Sequence, residues 1–281
     1  MRRGRAPWRS RGPAEPSAAW LVPAALFLVA AFLVPLATLV ATAARGEAGG
    51  LWRALAGVWT QPHTRRALAN GLGLSAAVSL AAIALCLLPA ELLARRRFPG
   101  RGAARLLLSI PLAFSGVIVG FLAIVMLGRV GVVPSLARAL FGYPFGEGLA
   151  YALPGLFLAY LFFEIPRAVL ALEAAFARMD PEVDAAARTL GAGPVQRFVR
   201  ITLPALRPAL VGTFATTFSV SLGSYGAALI LSRRFSVLPV EAYQEFTAFG
   251  NDTGACAMAL WLAAISLVVS SVAVREARAR G

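Results

Sequence analysis

The 281-residue chain has no lysine; all 27 of its basic residues are arginine. That absence excludes a P-loop, whose lysine must reach the β- and γ-phosphates. It also excludes pyridoxal chemistry, which needs a lysine for its Schiff base. If ATP drives this protein, another chain hydrolyses it. Histidine occurs once, at His63, and cysteine twice, at Cys86 and Cys256, with no CxxC pair. A metal centre or a disulfide framework has little to build on, and both cysteines, set in apolar blocks, read as small buried hydrophobes. The sequence carries no HExxH or GxSxG, so an enzyme acting inside a membrane would lack its catalytic set. No cofactor is expected. Charge is also scarce, at 14% of residues against about 25% in a typical soluble domain.

What is present is apolar: 59% of residues, with a mean hydropathy of +0.73. The apolar residues fall in six blocks, near 18–43, 68–94, 105–128, 149–172, 208–231 and 254–274. Each approaches or exceeds the roughly 20 helical residues that cross about 30 Å of hydrocarbon. Continuous runs are not the alternation of an outer-membrane barrel, and only helices satisfy their own backbone in lipid. The expectation is an all-α integral membrane protein with six transmembrane helices. The first block is too long for a signal-peptide core and reads as a retained span. The net charge of +14 lies mainly in short stretches between the blocks and no nucleic-acid motif accompanies it, so no nucleic-acid partner is expected.

With the N-terminus inside, nineteen arginines fall on inside segments and eight outside. The inside set includes Arg2, Arg3, Arg5, Arg9 and Arg11, a second group from Arg95 to Arg105, and a third from Arg167 to Arg207. The positive-inside rule therefore places both termini in the cytoplasm. The division that follows has four parts: a cytoplasmic arginine-rich segment, 1–17; a first span and external segment, 18–66; a core, 67–275; and a cytoplasmic tail, 276–281. Leu51 to Trp59, with Trp52 and Trp59, reads as a short interfacial helix on the outer side.

The fifth block is the most polar, with Thr213, Thr216, Thr217, Ser219, Ser221, Ser224 and Tyr225. Those hydroxyls either bond backbone and neighbouring helices or line a wet path; their density favours a path. Thr217, Ser221, Ser224 and Tyr225 are its candidates, with Asn70 and Glu164 beside them. Asn70 either caps the second span or faces the path. Glu164 and Glu91 lie in apolar surroundings, where a charge is costly and functional by default. Pairing with Arg167 and with Arg95 to Arg97 at the cytoplasmic ends is the blander account and is preferred; a gate or a site for a cationic solute at Glu164 is the alternative. Gly116 and Gly120, four apart, would allow close helix approach. His63 reads as an ordinary exposed side chain.

The segment between the fourth and fifth blocks, with loop bounds of 173–207, is well defined. Asp180-Pro181-Glu182 is a helix start: an N-cap acceptor, proline at the first helical position and acid in the first turn. Val183 to Leu190 favours helix, and Gly191 sits where a left-handed residue would end it. Pro194 starts a second helix whose apolar face holds Val195, Phe198 and Val199, and Leu203-Pro204 is expected to break the chain before the fifth span. A short exposed helix held between sharp turns at the membrane face is suited to docking in a partner's groove.

The run Asp184-Ala185-Ala186-Ala187-Arg188-Thr189-Leu190-Gly191, followed after nine residues by Ile201-Thr202-Leu203-Pro204, resembles the EAA loop of the permease subunits of binding-protein-dependent ABC importers. Gly191, Ile201, Leu203 and Pro204 match that family's spacing. With Gly191 as anchor the pattern's glutamate falls on Ala185, and an acid, Asp184, lies one residue earlier. Either Asp184 supplies an ionic contact in its place or that contact is absent. A second, weaker similarity joins Ser221 to Gly226 and Val237 to Tyr243 with the spermidine/putrescine, thiamine and ferric-iron branch.

The resemblance covers about 67–275 and implies a type I importer permease fold in the plasma (inner) membrane. It implies that Pro181, Asp184, Ala185, Ala186, Arg188, Leu190, Gly191 and Ala192 form a coupling helix that docks in an ABC ATPase subunit, with Ile201, Leu203 and Pro204 completing the motif. Its further implied partners are a second permease subunit, identical or homologous, an extracytoplasmic solute-binding protein and membrane lipid. The implied cargo is a small polar or charged solute, polyamines first, then thiamine, ferric iron or anions such as sulfate. The competing class, a self-sufficient secondary transporter or channel, should show inverted repeats, broken helices or mid-membrane ion-coupling acids.

Overall fold

The computed structural model describes residues 21–45, 50–143, 148–232 and 235–278, and every regular element among them is helical. The segment 1–17, the first residues of the first predicted span, Arg233, Arg234 and Arg280 lie outside the described residues. Among the described residues, five helical stretches are long and apolar enough to cross a membrane.

Helix α1 (Leu21–Ala44) is apolar on all sides and exposed along nearly its whole length, touching α2 (Gly50–Thr60) and the last helix. Such a helix has its surface solvated by lipid. The helix expected over Leu51 to Trp59 is present as α2, with Trp52 exposed and Trp59 set edge-on against Trp261.

The centre of the bundle is α3 (Pro62–Arg95) packed lengthwise on α7 (Leu153–Ala177). Gly71, Ser75, Ser79, Ala82, Cys86 and Ala90 recur at three- or four-residue spacing and are buried on α3. Small side chains at that spacing let two backbones approach, the main source of helix attraction in lipid. Cys86 is buried as expected, whereas Cys256 is half-buried.

The third predicted block is not one helix. It divides into α4 (Arg101–Ser109), a 3₁₀ turn (Ile110–Ala113) and α5 (Gly116–Leu127), which runs into α6 (Val132–Phe141). Arg101 and Arg105 of α4, one turn apart, both reach Glu173 of α7, which pins α4 against the bundle instead of through it. Pro111, lacking an N–H, ends the helical ladder, and the apolar span begins afresh at Gly116, where Ser115 accepts the Ile118 N–H as N-cap.

The fifth block is also interrupted, as α10 (Leu203–Leu222) and α11 (Gly226–Leu231), followed by α12 (Leu238–Thr247) and α13 (Asp252–Arg278). Gly223 and Ser224 are poor helix formers, and the Ser224 carbonyl is taken by the Tyr160 hydroxyl at 2.7 Å. The expected break at Leu203-Pro204 does not occur. The short α9 (Pro194–Arg197) passes through one wide π turn (Phe198–Thr202) directly into α10. A π turn accommodates an altered hydrogen-bond ladder, and Pro204 then sits in the first turn of α10, where a missing N–H is tolerated.

Candidate functional site: a projecting helix and a broken-helix junction

Between α7 and α9 stands α8 (Pro181–Thr189). Its start is capped as the sequence indicated: Asp180 Oδ1 accepts the Glu182 N–H at 2.8 Å and Pro181 opens the first turn. Its end is a Schellman turn. Gly191 has φ +80°, its N–H donates to the Arg188 carbonyl, and the Ala192 N–H donates to the Ala187 carbonyl, both at 3.0 Å. Ala187 faces inward, while Pro181, Ala185, Ala186, Arg188 and Leu190 are exposed. Leu190 and Val195 are 87% and 73% exposed, large apolar side chains that no described residue covers.

Asp184 is the anchor of this loop. Its carboxylate accepts from Arg188 at 2.6 Å and from Arg197 of α9 at 2.9 Å, and Arg95 at the end of α3 stands 3.9 Å away. The Arg188 hydrogen bond first, and then the charges of Arg188, Arg197 and Arg95, hold the Asp184 carboxyl below its ordinary range against a desolvation that opposes them. Asp184 is thus committed to arginines of its own chain. Arg197 and Arg95 as its partners are not visible in the sequence, because they lie thirteen and eighty-nine residues away. Ile201 and Leu203 are half-buried at the root of α10, and Pro204 is exposed.

The second feature is the meeting of the two interrupted helices. A Cβ on Gly226 would stand 2.7 Å from the Val117 nitrogen, and one on Gly120 3.0 Å from the Ile230 Cβ. The close approach expected at Gly116 and Gly120 is therefore real, and its partner is α11. Beside this junction lies a cavity of about 280 Å³, walled by residues including Gly116, Phe163, Arg167, Gly223 and Ser224.

Glu164 is fully buried behind that wall. It accepts from Arg167 Nη1 at 2.9 Å and from the Ser221 hydroxyl at 3.2 Å. The expected pairing with arginine is present. Its place differs: α7 runs on to Ala177, so Glu164 lies eleven residues from one end of α7 and thirteen from the other, not at a membrane face. Arg167, read as part of the cytoplasmic segment, is within the span for the same reason. Its signal in the sequence was its i,i+3 spacing from a glutamate inside an apolar block.

The other candidates are dispersed. Thr217 is buried and donates to the Thr213 carbonyl of its own helix at 2.8 Å. Tyr225 packs at a tilt against Tyr243, with ring centroids 5.0 Å apart. Asn70 neither caps a helix nor reaches the cavity; it donates to the Ser236 carbonyl at 3.0 Å, while α3 begins eight residues earlier. Glu91 pairs with Arg95 at 3.5 Å, and the exposed His63 stands 3.7 Å from Glu245.

A bundle of membrane-crossing helices, two of them interrupted side by side, with a capped helix projecting from one end, defines a polytopic transport protein. The chain belongs to the family of binding-protein-dependent transport system inner membrane components, whose family model matches residues 89–278. Members are membrane subunits, with ATP hydrolysis carried by separate subunits. The molybdenum transport system permease protein ModB of Escherichia coli strain K12 is 33% identical over 198 residues, 68% of this chain and 85% of that protein. The sulfate transport system permease protein CysT of the same strain is 28% identical over 264 residues, 90% of each chain. In fold, the chain resembles the crystal structure of a bacterial ABC transporter involved in the import of the acidic polysaccharide alginate. The TM-score is 0.75 at 20% identity, covering 92% of this chain and 94% of that one.

Two expectations change. A polyamine-like solute finds no support, since these relatives are permeases for molybdenum and sulfate. Broken helices, expected to mark a secondary transporter, are present here in an importer permease, so the family match and not that feature separates the two classes.

Proposed function

We propose that this chain is the permease subunit of an ATP-driven importer for a tetrahedral oxyanion of the molybdate and sulfate class. The observation that carries the substrate reading is the identity shared with molybdenum and sulfate permeases over two thirds or more of the chain. In this reading α8 is the coupling helix. Pro181, Ala185, Ala186, Arg188 and Leu190 are its docking face, Gly191 and Ala192 its terminal turn, and Ile201, Leu203 and Pro204 its link to α10. Exposed Leu190 and Val195 favour a protein partner at this end, because apolar side chains outside the membrane gain by being covered. Both termini and α8 lie in the cytoplasm, in keeping with the arginine distribution. A second permease subunit completes the path and a solute-binding protein docks at the α2 and α12 end. The parts 1–17, 18–66, 67–275 and 276–281 serve as cytoplasmic segment, first span, transport core and tail.

The test is ATP-dependent uptake in proteoliposomes containing the permease, its ATPase and its binding protein, with labelled sulfate, molybdate and putrescine offered in parallel. Uptake of sulfate or molybdate, lost when the ATPase is omitted, is the expected result. Uptake of putrescine alone would sink the oxyanion reading while leaving the importer; uptake by the permease without ATPase would sink the importer.

A further inference from the structure

We infer that the cavity at the α5–α11 junction is a transient binding station for the transported oxyanion, with the Arg167 guanidinium as its anion ligand and Glu164 as the positioning residue that limits its grip. The inference rests on the oxyanion reading above.

The cavity is open on one side and has a volume of about 280 Å³. A water molecule occupies about 30 Å³ of liquid, so the space admits a tetrahedral dianion together with several of its waters. Among the lining residues Arg167 is the only ionisable one. An acid would be the natural wall for a cationic solute, and Glu164, the acid bonded to Arg167, is fully buried and not among the lining residues. The polar remainder of the wall includes Ser224, whose carbonyl is held by Tyr160.

A guanidinium has five N–H donors in a planar fork suited to oxyanions. Glu164 takes Nη1 of Arg167, and no other acceptor among the described residues takes the rest. The Arg167 side chain is 35% exposed. A charged pair in the middle of a span is costly to desolvate, and similar apolar residues would hold two helices at least as well. A half-satisfied arginine at a cavity wall is instead explained by a ligand that completes it.

Glu164 gives the station its weakness. A bare arginine lining the cavity would hold a dianion firmly, and passage needs binding favourable enough to enter yet weak enough to leave. The buried carboxylate cancels part of the arginine's charge and, through Ser221, is itself fixed from α10. The pair thus links α7 to the helix that ends at the junction.

The experiment is equilibrium binding of labelled sulfate and of molybdate to the purified full-length permease with its ATPase, comparing wild type with Arg167→Gln, Arg167→Lys and Glu164→Gln. Elution as a single folded species with ATPase retained is the control, and uptake by the wild-type transporter is measured alongside. Losing a charge-assisted ligand should weaken oxyanion binding by about tenfold or more in Arg167→Gln. Arg167→Lys should recover part of it, and Glu164→Gln should tighten it and slow uptake. A pair that serves only to hold α7 predicts that Glu164→Gln and Arg167→Gln act in the same direction. That result, unchanged binding in Arg167→Gln, or no saturable binding to wild type that nonetheless takes up the anion, would overturn the station. Should Arg167→Gln fail the folding control, the opposed directions expected of Arg167→Lys and Glu164→Gln decide the matter. Absence of oxyanion uptake by the wild-type transporter would overturn the reading beneath it instead.

Discussion

Asp184 and Arg197 share a hydrogen bond of 2.9 Å that ties the projecting helix α8 to α9 across the Gly191 turn. With Arg188 and Arg95 beside them, this one carboxylate holds three segments in register. Asp184→Asn should therefore loosen the orientation of α8 more than it lowers global stability. Asp184 and Arg197 are half-buried and Arg188 is exposed, and pairs at a solvated surface contribute about 1 kcal/mol or less. Thermal unfolding should shift only slightly, while co-purification of the ATPase falls severalfold. Co-purification equal to wild type would show that α8 keeps its orientation without the anchor. The carboxyl is held below its ordinary range, so its stabilising contribution is complete above the unfolded value of about 4 and disappears as pH falls through the lower folded value. ATPase association should accordingly show no dependence on this group between about pH 5 and 8.

Gly191 has open space where a Cβ would stand, so the cost of replacing it is conformational alone. A residue with a side chain at φ +80° is expected to cost about 1–2 kcal/mol, less for asparagine. Gly191→Val should impair ATPase-coupled uptake more than Gly191→Asn. Equal uptake in the two would mean that the left-handed turn does not set the end of α8.

Gly226 presents the opposite case, with backbone atoms of Gly116 and Val117 within 3.0 Å of an added Cβ. Backbone cannot swing aside as a flexible side chain can, so Gly226→Ala should destabilise the detergent-solubilised protein by about 1–3 kcal/mol. Gly73→Ala, on α3 with open space around it, is the matched control and should be silent. A comparison of the two unfolding temperatures checks the geometry of the junction directly.

Ser75 and Ser79 are buried on the packed face of α3, and neither hydroxyl finds a partner among the described residues. Removing an unsatisfied buried hydroxyl should not weaken the protein, and Ser79→Ala is expected to be neutral or stabilising by up to about 1 kcal/mol. Ser79→Leu should be harmful, because bulk there drives the helices apart. A marked loss in the alanine variant would reveal a hydrogen bond across the interface.

The all-helical membrane character, the apolar segments, the capped helix at Pro181 and its glycine end were legible in the order of the amino acids. Each of these follows from local chemistry: run length against bilayer thickness, a side-chain oxygen beside orphan amides, a glycine where φ must be positive. That order also held the EAA-like pattern at Asp184 to Pro204. That two apolar blocks are interrupted, and that the interruptions meet, emerges only in three dimensions. Hydropathy registers how apolar a run is, not whether its backbone ladder is continuous, and the Ser224 carbonyl is drawn off by Tyr160 from another helix. Likewise Asp184 finds Arg95, and Glu164 finds Ser221, across long stretches of chain. Pairing of charges in low dielectric depends on distance in space, which spacing along a sequence does not contain.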